Sequence, residues 1–150
     1  MENLINKVWL KDVFEFMKQI PNKSVDLVCS DPPFEFISKN PTGGGFMKNE
    51  NKIHLDRIND NFGMSYDPKL YLKECKRILK LFNGYFFTNK NLLVDYINFA
   101  NENNYVFDIL IWFKRNPVPI NKNHYLIDKE YCMFIREKGA HLYPGYGAND

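Results

Sequence analysis

A chain of 150 residues with 45% hydrophobic and 16% aromatic content has enough apolar mass for one core, which excludes a disordered chain and predicts a single domain over residues 1–150. A formal net charge of +2, from 20 basic and 18 acidic residues, neither demands nor excludes a polyanionic partner, because clustering on one face decides that. No apolar run reaches the ~18 residues of a membrane span, the start of the chain lacks a signal-peptide pattern, and Cys29, Cys75 and Cys132 are too scattered for a disulfide framework or a zinc site, which predicts a reducing cytoplasm.

In chain order, residues 9–20 place Val13, Phe14, Met17 and Ile20 at helical spacing, and Pro21 to Ser24 stop that helix. Residues 25–30, Val-Asp-Leu-Val-Cys-Ser, are short and mostly apolar, which predicts a buried strand with Cys29 inert inside it. That strand runs into Asp31-Pro32-Pro33-Phe34. Residues 35–67 hold Gly43, Gly44 and Gly45 and no long periodic segment, as expected of a functional or mobile loop. Residues 68–82 are amphipathic, with Asp67 as N-cap, Pro68 in the first turn and Asn83-Gly84 as the stop. Tyr71, Cys75, Ile78, Leu79 and Phe82 form its apolar stripe. A buried strand at 85–88, a helix at 91–103 and strands at 106–113 and 131–136 complete the chain.

Strands alternating with helices predict an α/β fold, a mainly parallel sheet with helices on both faces. The last two strands, with no helix between them, are expected as an antiparallel pair at one edge. In open sheets of this kind ligands bind at the carboxyl ends of the strands, where Asp31-Pro32-Pro33-Phe34 falls.

The two prolines stiffen this tetrapeptide and donate no backbone hydrogen bonds. Asp31 adds two acceptors on a rigid mount, and Phe34 an apolar face one step away. Such a site suits a flat ligand bearing an amino group, which would stack on Phe34. The bland alternative is a proline turn that ends a strand.

The stretch from Ile20 to Phe34, IPNKSVDLVCSDPPF, resembles the catalytic segment of the amino-methylating DNA methyltransferases, and its lead-in resembles the group with permuted order, in which the catalytic motif precedes the cofactor motif. Residues 74–80 with 84–88 are similar to the helix and strand that follow, and residues 109–119 (ILIWFKRNPVP) with 128–136 to that group's W-x-K-x-N-P-x-P segment and next strand. The similarity runs from about residue 8 to 140. It implies a Rossmann-like S-adenosylmethionine-dependent methyltransferase sheet. The implied reaction moves a methyl group from S-adenosylmethionine to the exocyclic amine of a flipped base in double-stranded DNA. Adenine N6 is favoured over cytosine N4, because Asp31 stands where cytosine enzymes more often carry serine. The resemblance assigns catalysis to Asp31, Pro32, Pro33 and Phe34, and cofactor contact to Asp31 and Asp12. Lys11 stands where the family has a glycine before that aspartate.

The family's D-P-F-x-G-S-G-T cofactor motif has no counterpart in these residues, and neither Gly43 to Phe46 nor Pro144 to Gly147 has the strand–turn–helix context of one. The chain therefore reads as a catalytic half, with weak cofactor affinity expected of it alone. An incomplete sheet exposes apolar edges, so a homodimer or a missing C-terminal half is the expected partner. Lys39, Lys48 and Arg57 in the long loop, and Lys114 and Arg115 at a strand end, are candidate DNA contacts. Trp112 is expected in the core. Two other readings stay open: a methyltransferase acting on RNA or a protein glutamine, and a DNA-binding or partner-binding module without catalysis.

Overall fold

The computed structural model describes residues 4–32, 67–117 and 125–140. Helix α1 spans Val13–Met17. Asp12 starts it by accepting the Glu15 N–H at 3.0 Å, one of the first-turn donors that a helix cannot satisfy itself. The helix is shorter than its spacing predicts. Tight turns take over, with Gln19 and Ile20 donating to the carbonyls of Phe16 and Met17 at 3.0 Å, and they still deliver Ile20 to the core.

Strand β1, Val28–Ser30, is followed among the described residues by α2, Pro68–Ile78. Asp67 caps α2 as expected, accepting the Lys69 N–H at 2.8 Å. Tyr71, Cys75, Ile78, Leu79 and Phe82 are all buried. The helix stops at Ile78, however, and not at Asn83-Gly84. The Ser24 and Val25 N–H groups donate to the Ile78 carbonyl at 2.8 and 3.0 Å, and Lys80 N–H donates to the Val25 carbonyl at 2.9 Å. A neighbouring segment thus takes over the helix end, and Asn83 and Gly84 open strand β2, Asn83–Thr88. Helix α3, Leu93–Glu102, and strands β3, Val106–Phe113, and β4, Lys129–Arg136, follow.

The sheet order is β1-β2-β4-β3. β1 and β2 are parallel, whereas β4 is antiparallel to both β2 and β3. Three strands therefore point one way, and β4 runs against them from between β2 and β3. The last two strands are the expected antiparallel pair, and among the described strands β3 is the outermost.

Successive side chains of a strand face opposite sides. On one side Phe86, Met133 and Ile135 meet Met17, Leu72, Cys75, Tyr96 and Ala100, so α1, α2 and α3 share one core on one face. On the other side lie Cys29, Tyr85, Phe87, Leu110, Trp112, Cys132 and Phe134, and no described helix covers them. Two expectations fail for this reason. Cys29 is exposed, not buried, and Trp112 is 60% exposed, not core. Tyr85 and Phe87 are half-buried, supported by stacking of Tyr85 on Phe134 with ring centroids 4.5 Å apart.

Candidate active site

The carboxyl ends of β1, β2 and β3 share one rim of the sheet. Asp31 follows the last residue of β1, and one step beyond the Ser30–Phe86 register it stands level with Phe87. Strand alternation gives it the uncovered face, the side of Cys29. The Cys132 thiol is consistent with this: burial raises its pKa first, the neighbouring Cys29 adds to that, and the charge of Asp31 adds a little more. Asp31 is exposed and Pro32 half-buried.

Beside them the sheet forms a concavity of about 250 Å³, lined by Cys29, Tyr85, Phe87, Leu110, Ile111, Trp112 and Cys132. Its walls are nearly all apolar. Such an aromatic floor can take a flat molecule, and Asp31, two residues on from the lining residue Cys29, is the nearest carboxylate along β1. Tyr85, Phe87 and Trp112 escaped the sequence reading because apolar strands were taken as buried on both faces. The available signal was that β2 carries aromatic residues at both parities.

Behind Asp31, on the covered face, the Tyr71 hydroxyl lies beside the Ser30 and Cys75 side chains. Burial raises the Tyr71 phenol well above its usual range and pushes the Cys75 thiol up to about 12. Both stay neutral and support the end of β1 without adding charge to it.

Asp12 lies at the start of α1, with one carboxylate oxygen engaged as the helix cap. Lys114 is ion-paired with Glu130, so its charge is partly spent. Arg115 is exposed. These two residues share the rim with Asp31 but sit at the opposite edge of the sheet. Three strand spacings of ~4.8 Å put them roughly 14 Å apart, too far for one base and well within the reach of a polymer strand. A second concavity of about 450 Å³, lined by Trp112, Phe113, Lys114, Arg115, Asn116 and Glu130, occupies that end. Pro33, Phe34, Lys39, Lys48 and Arg57 lie outside the described residues.

No protein-family model matches the chain. Over 134 residues it is 29% identical to the type II methyltransferase M.HinfI of Haemophilus influenzae, a match that takes in 79% of this chain. The chain is thus similar in sequence to a type II methyltransferase. It spans 34% of that relative's length. The fold agrees. The crystal structure of M1.HpyAVI has a TM-score of 0.60 over 95% of this chain and 61% of its own. The complex of M1.HpyAVI with S-adenosylmethionine has a TM-score of 0.59 over 93% of this chain and 58% of its own. Sequence identity is 18% in both. The sheet and its three described helices therefore share the fold of the matched part of M1.HpyAVI, with Asp31 directly after the carboxyl end of β1. No described helix is long and apolar enough to cross a membrane.

Proposed function

We propose that this chain is the catalytic portion of an S-adenosylmethionine-dependent DNA methyltransferase of the permuted order, acting on an exocyclic base amine, adenine N6 ahead of cytosine N4. The observation that carries the reading is Asp31-Pro32 at the carboxyl end of β1, two residues on from Cys29, which lines the aromatic concavity. An exocyclic amine is a weak nucleophile because its lone pair is delocalised into the ring. The Asp31 carboxylate and the Pro32 carbonyl are two acceptors for its two hydrogens. Pro33 has no N–H to compete for either. Held this way, the nitrogen turns tetrahedral and its lone pair points outward, and fixing it in place supplies much of the rate gain. Asp31 is also the group placed to take the proton that the methylated amine releases. The target base is out of reach in a duplex, so it is flipped out, with Phe34 as its stacking partner.

The residues present fit the cofactor in part. Aromatic faces and a carboxylate attract a sulfonium cation, which assigns Asp31 and the Tyr85–Phe87 floor to its charged end and Asp12 to a more distant contact. When bound, S-adenosylmethionine supplies an electrophilic methyl group. The phosphate contacts in this reading are Lys39, Lys48, Arg57 and Arg115, with Lys114 weakened by Glu130, and the setting is the cytoplasm.

The test is transfer of tritiated methyl from millimolar cofactor to unmethylated duplex DNA, followed by nucleoside analysis. The expected product is N6-methyladenine, reduced about 100-fold or more in Asp31→Ala. Label on cytosine moves the substrate, and label on RNA or protein overturns the DNA reading. A second reading, a fragment that needs a partner for catalysis, is favoured by the uncovered apolar face. It predicts no transfer by the chain alone.

A further inference from the structure

Among the described strands β3 is outermost; it has the sequence VFDILIWF, and Asp108 is its only charge. It is exposed along nearly its whole length, Ile109 at 42%, Leu110 at 45%, Ile111 at 48% and Phe113 at 60%. An edge strand offers unpaired N–H and C=O groups to any second strand, and proteins usually blunt such edges with lysine, proline, a bulge or brevity. The other edge is short, since β1 has 3 residues. β3 has 8 residues, with no lysine or proline, and pairs with β4 in unbroken register.

The ladder shows which groups of β3 pair with β4 and which have no partner among the described residues. Lys114 N–H donates to the Asp128 carbonyl at 2.8 Å, and this pair continues the β3–β4 register in which Phe113 faces Lys129. In an antiparallel ladder hydrogen-bonded pairs alternate with non-bonded ones. Val106, Asp108, Leu110 and Trp112 therefore bond to β4. Phe107, Ile109, Ile111 and Phe113 aim their N–H and C=O groups at the open edge, two groups from each of the four residues.

We propose that β3 pairs edge to edge and antiparallel with β3 of a second copy of this chain. One register pairs every outward group. It sets Phe107 opposite Phe113 of the second copy and Ile109 opposite Ile111. Shifting it by two residues either way leaves outward groups without partners, and shifting it by one sets outward residues opposite inward ones. In the full register Leu110 meets itself on the two-fold axis, Asp108 faces Trp112 and Val106 faces Lys114, so no like charges oppose. Residues of equal parity meet, so the helix-covered faces of both copies lie on one side and the uncovered faces join on the other. The sheet becomes continuous across the axis. A second copy is the occupant that the strand specifies, because this edge is its own complement in hydrogen bonding and in apolar character. The proposal stands on the backbone of β3 and is independent of methyl transfer.

The test is cysteine cross-linking in a Cys29→Ser background, since Cys29 is the exposed native thiol while Cys75 and Cys132 are buried. Leu110 of each copy falls in a non-hydrogen-bonded pair, about 4.5 Å between Cα atoms, which a disulfide spans. Leu110→Cys is expected to give a covalent dimer under mild oxidation and Val106→Cys none. In sedimentation equilibrium Ile111→Pro, which removes an outward N–H and spares the β4 bonds, is expected to raise the dimer dissociation constant about tenfold or more. Should that variant not fold, the cysteine pair decides alone. A monomer at every concentration, or cross-linking equal at positions 110 and 106, overturns the proposal. A dimer that leaves Leu110→Cys unlinked overturns it as well and assigns the contact to another surface.

Discussion

At the scale of single residues, Gly84 shows how a constraint can be visible in the sequence and misread. As part of Asn83-Gly84 it looks like a helix stop. Its place is inside β2, under the Phe86 ring, where an added Cβ would come within 2.5 Å of two ring carbons. That ring is fully buried and stands edge-on to Tyr71, with Phe82 and Tyr96 also around it, so it has little room to yield. Gly84→Ala is expected to cost about 1–3 kcal/mol in urea unfolding, as overpacking does. The place of Asp31 at the carboxyl end of a strand was legible from its prolines and the apolar run before it. Trp112 was not, because a tryptophan in an apolar strand reads the same whether or not anything covers it.

At the scale of elements, α1 has 5 residues, too few to be stable by itself. Arg77 of α2 holds it in place. Its guanidinium donates to the carbonyls of Met17 and Ile20 at 2.7 and 2.9 Å, to Asn22 Oδ1 at 2.8 Å and to Glu74 Oε2 at 2.9 Å. The Met17 and Ile20 carbonyls thus gain a charged donor from a residue more than fifty positions away, and the same side chain ties down the approach to β1 and Asp31. Arg77→Ala is expected to destabilise the protein by about 1.5–3 kcal/mol. Amides of residues 13–25 should lose hydrogen-exchange protection more than those of α3. Arg77→Lys should not restore it, because an ammonium cannot reproduce the fork of donors. Equal loss of protection in α1 and α3 would show that Arg77 acts globally instead.

At the scale of the whole molecule, the covered face sets the response to alkali. The Cys75 thiol has an ordinary pKa of 9.0 and is held up to about 12 by burial, and the Tyr71 phenol is raised from 10.0 in the same direction. Above pH 9 the unfolded chain therefore releases protons that the folded chain keeps. Stability from this source is whole below pH 9 and declines as pH rises toward 12. The urea midpoint is expected to be level from pH 7 to 9 and to fall beyond it, with Cys75→Ala flattening the first part of that fall. A midpoint that stays level to pH 11 would show that these groups are reached by water.

The sequence by itself determined the elements and their order, because helical and strand periodicity, the Asp67 cap and the prolines after Asp31 act over a few residues. It also offered Asp31-Pro32-Pro33-Phe34 as a candidate site, since an apolar strand running into two prolines is a local pattern. The tertiary structure decided that β4 enters between β2 and β3, and that the described helices gather on one face. It thereby gathered Tyr85, Phe87 and Trp112 with Cys29 around one concavity and left β3 outermost among the described strands. These outcomes depend on which strand lies beside which, and pairing partners far apart in the chain leave no mark in the local pattern of either strand.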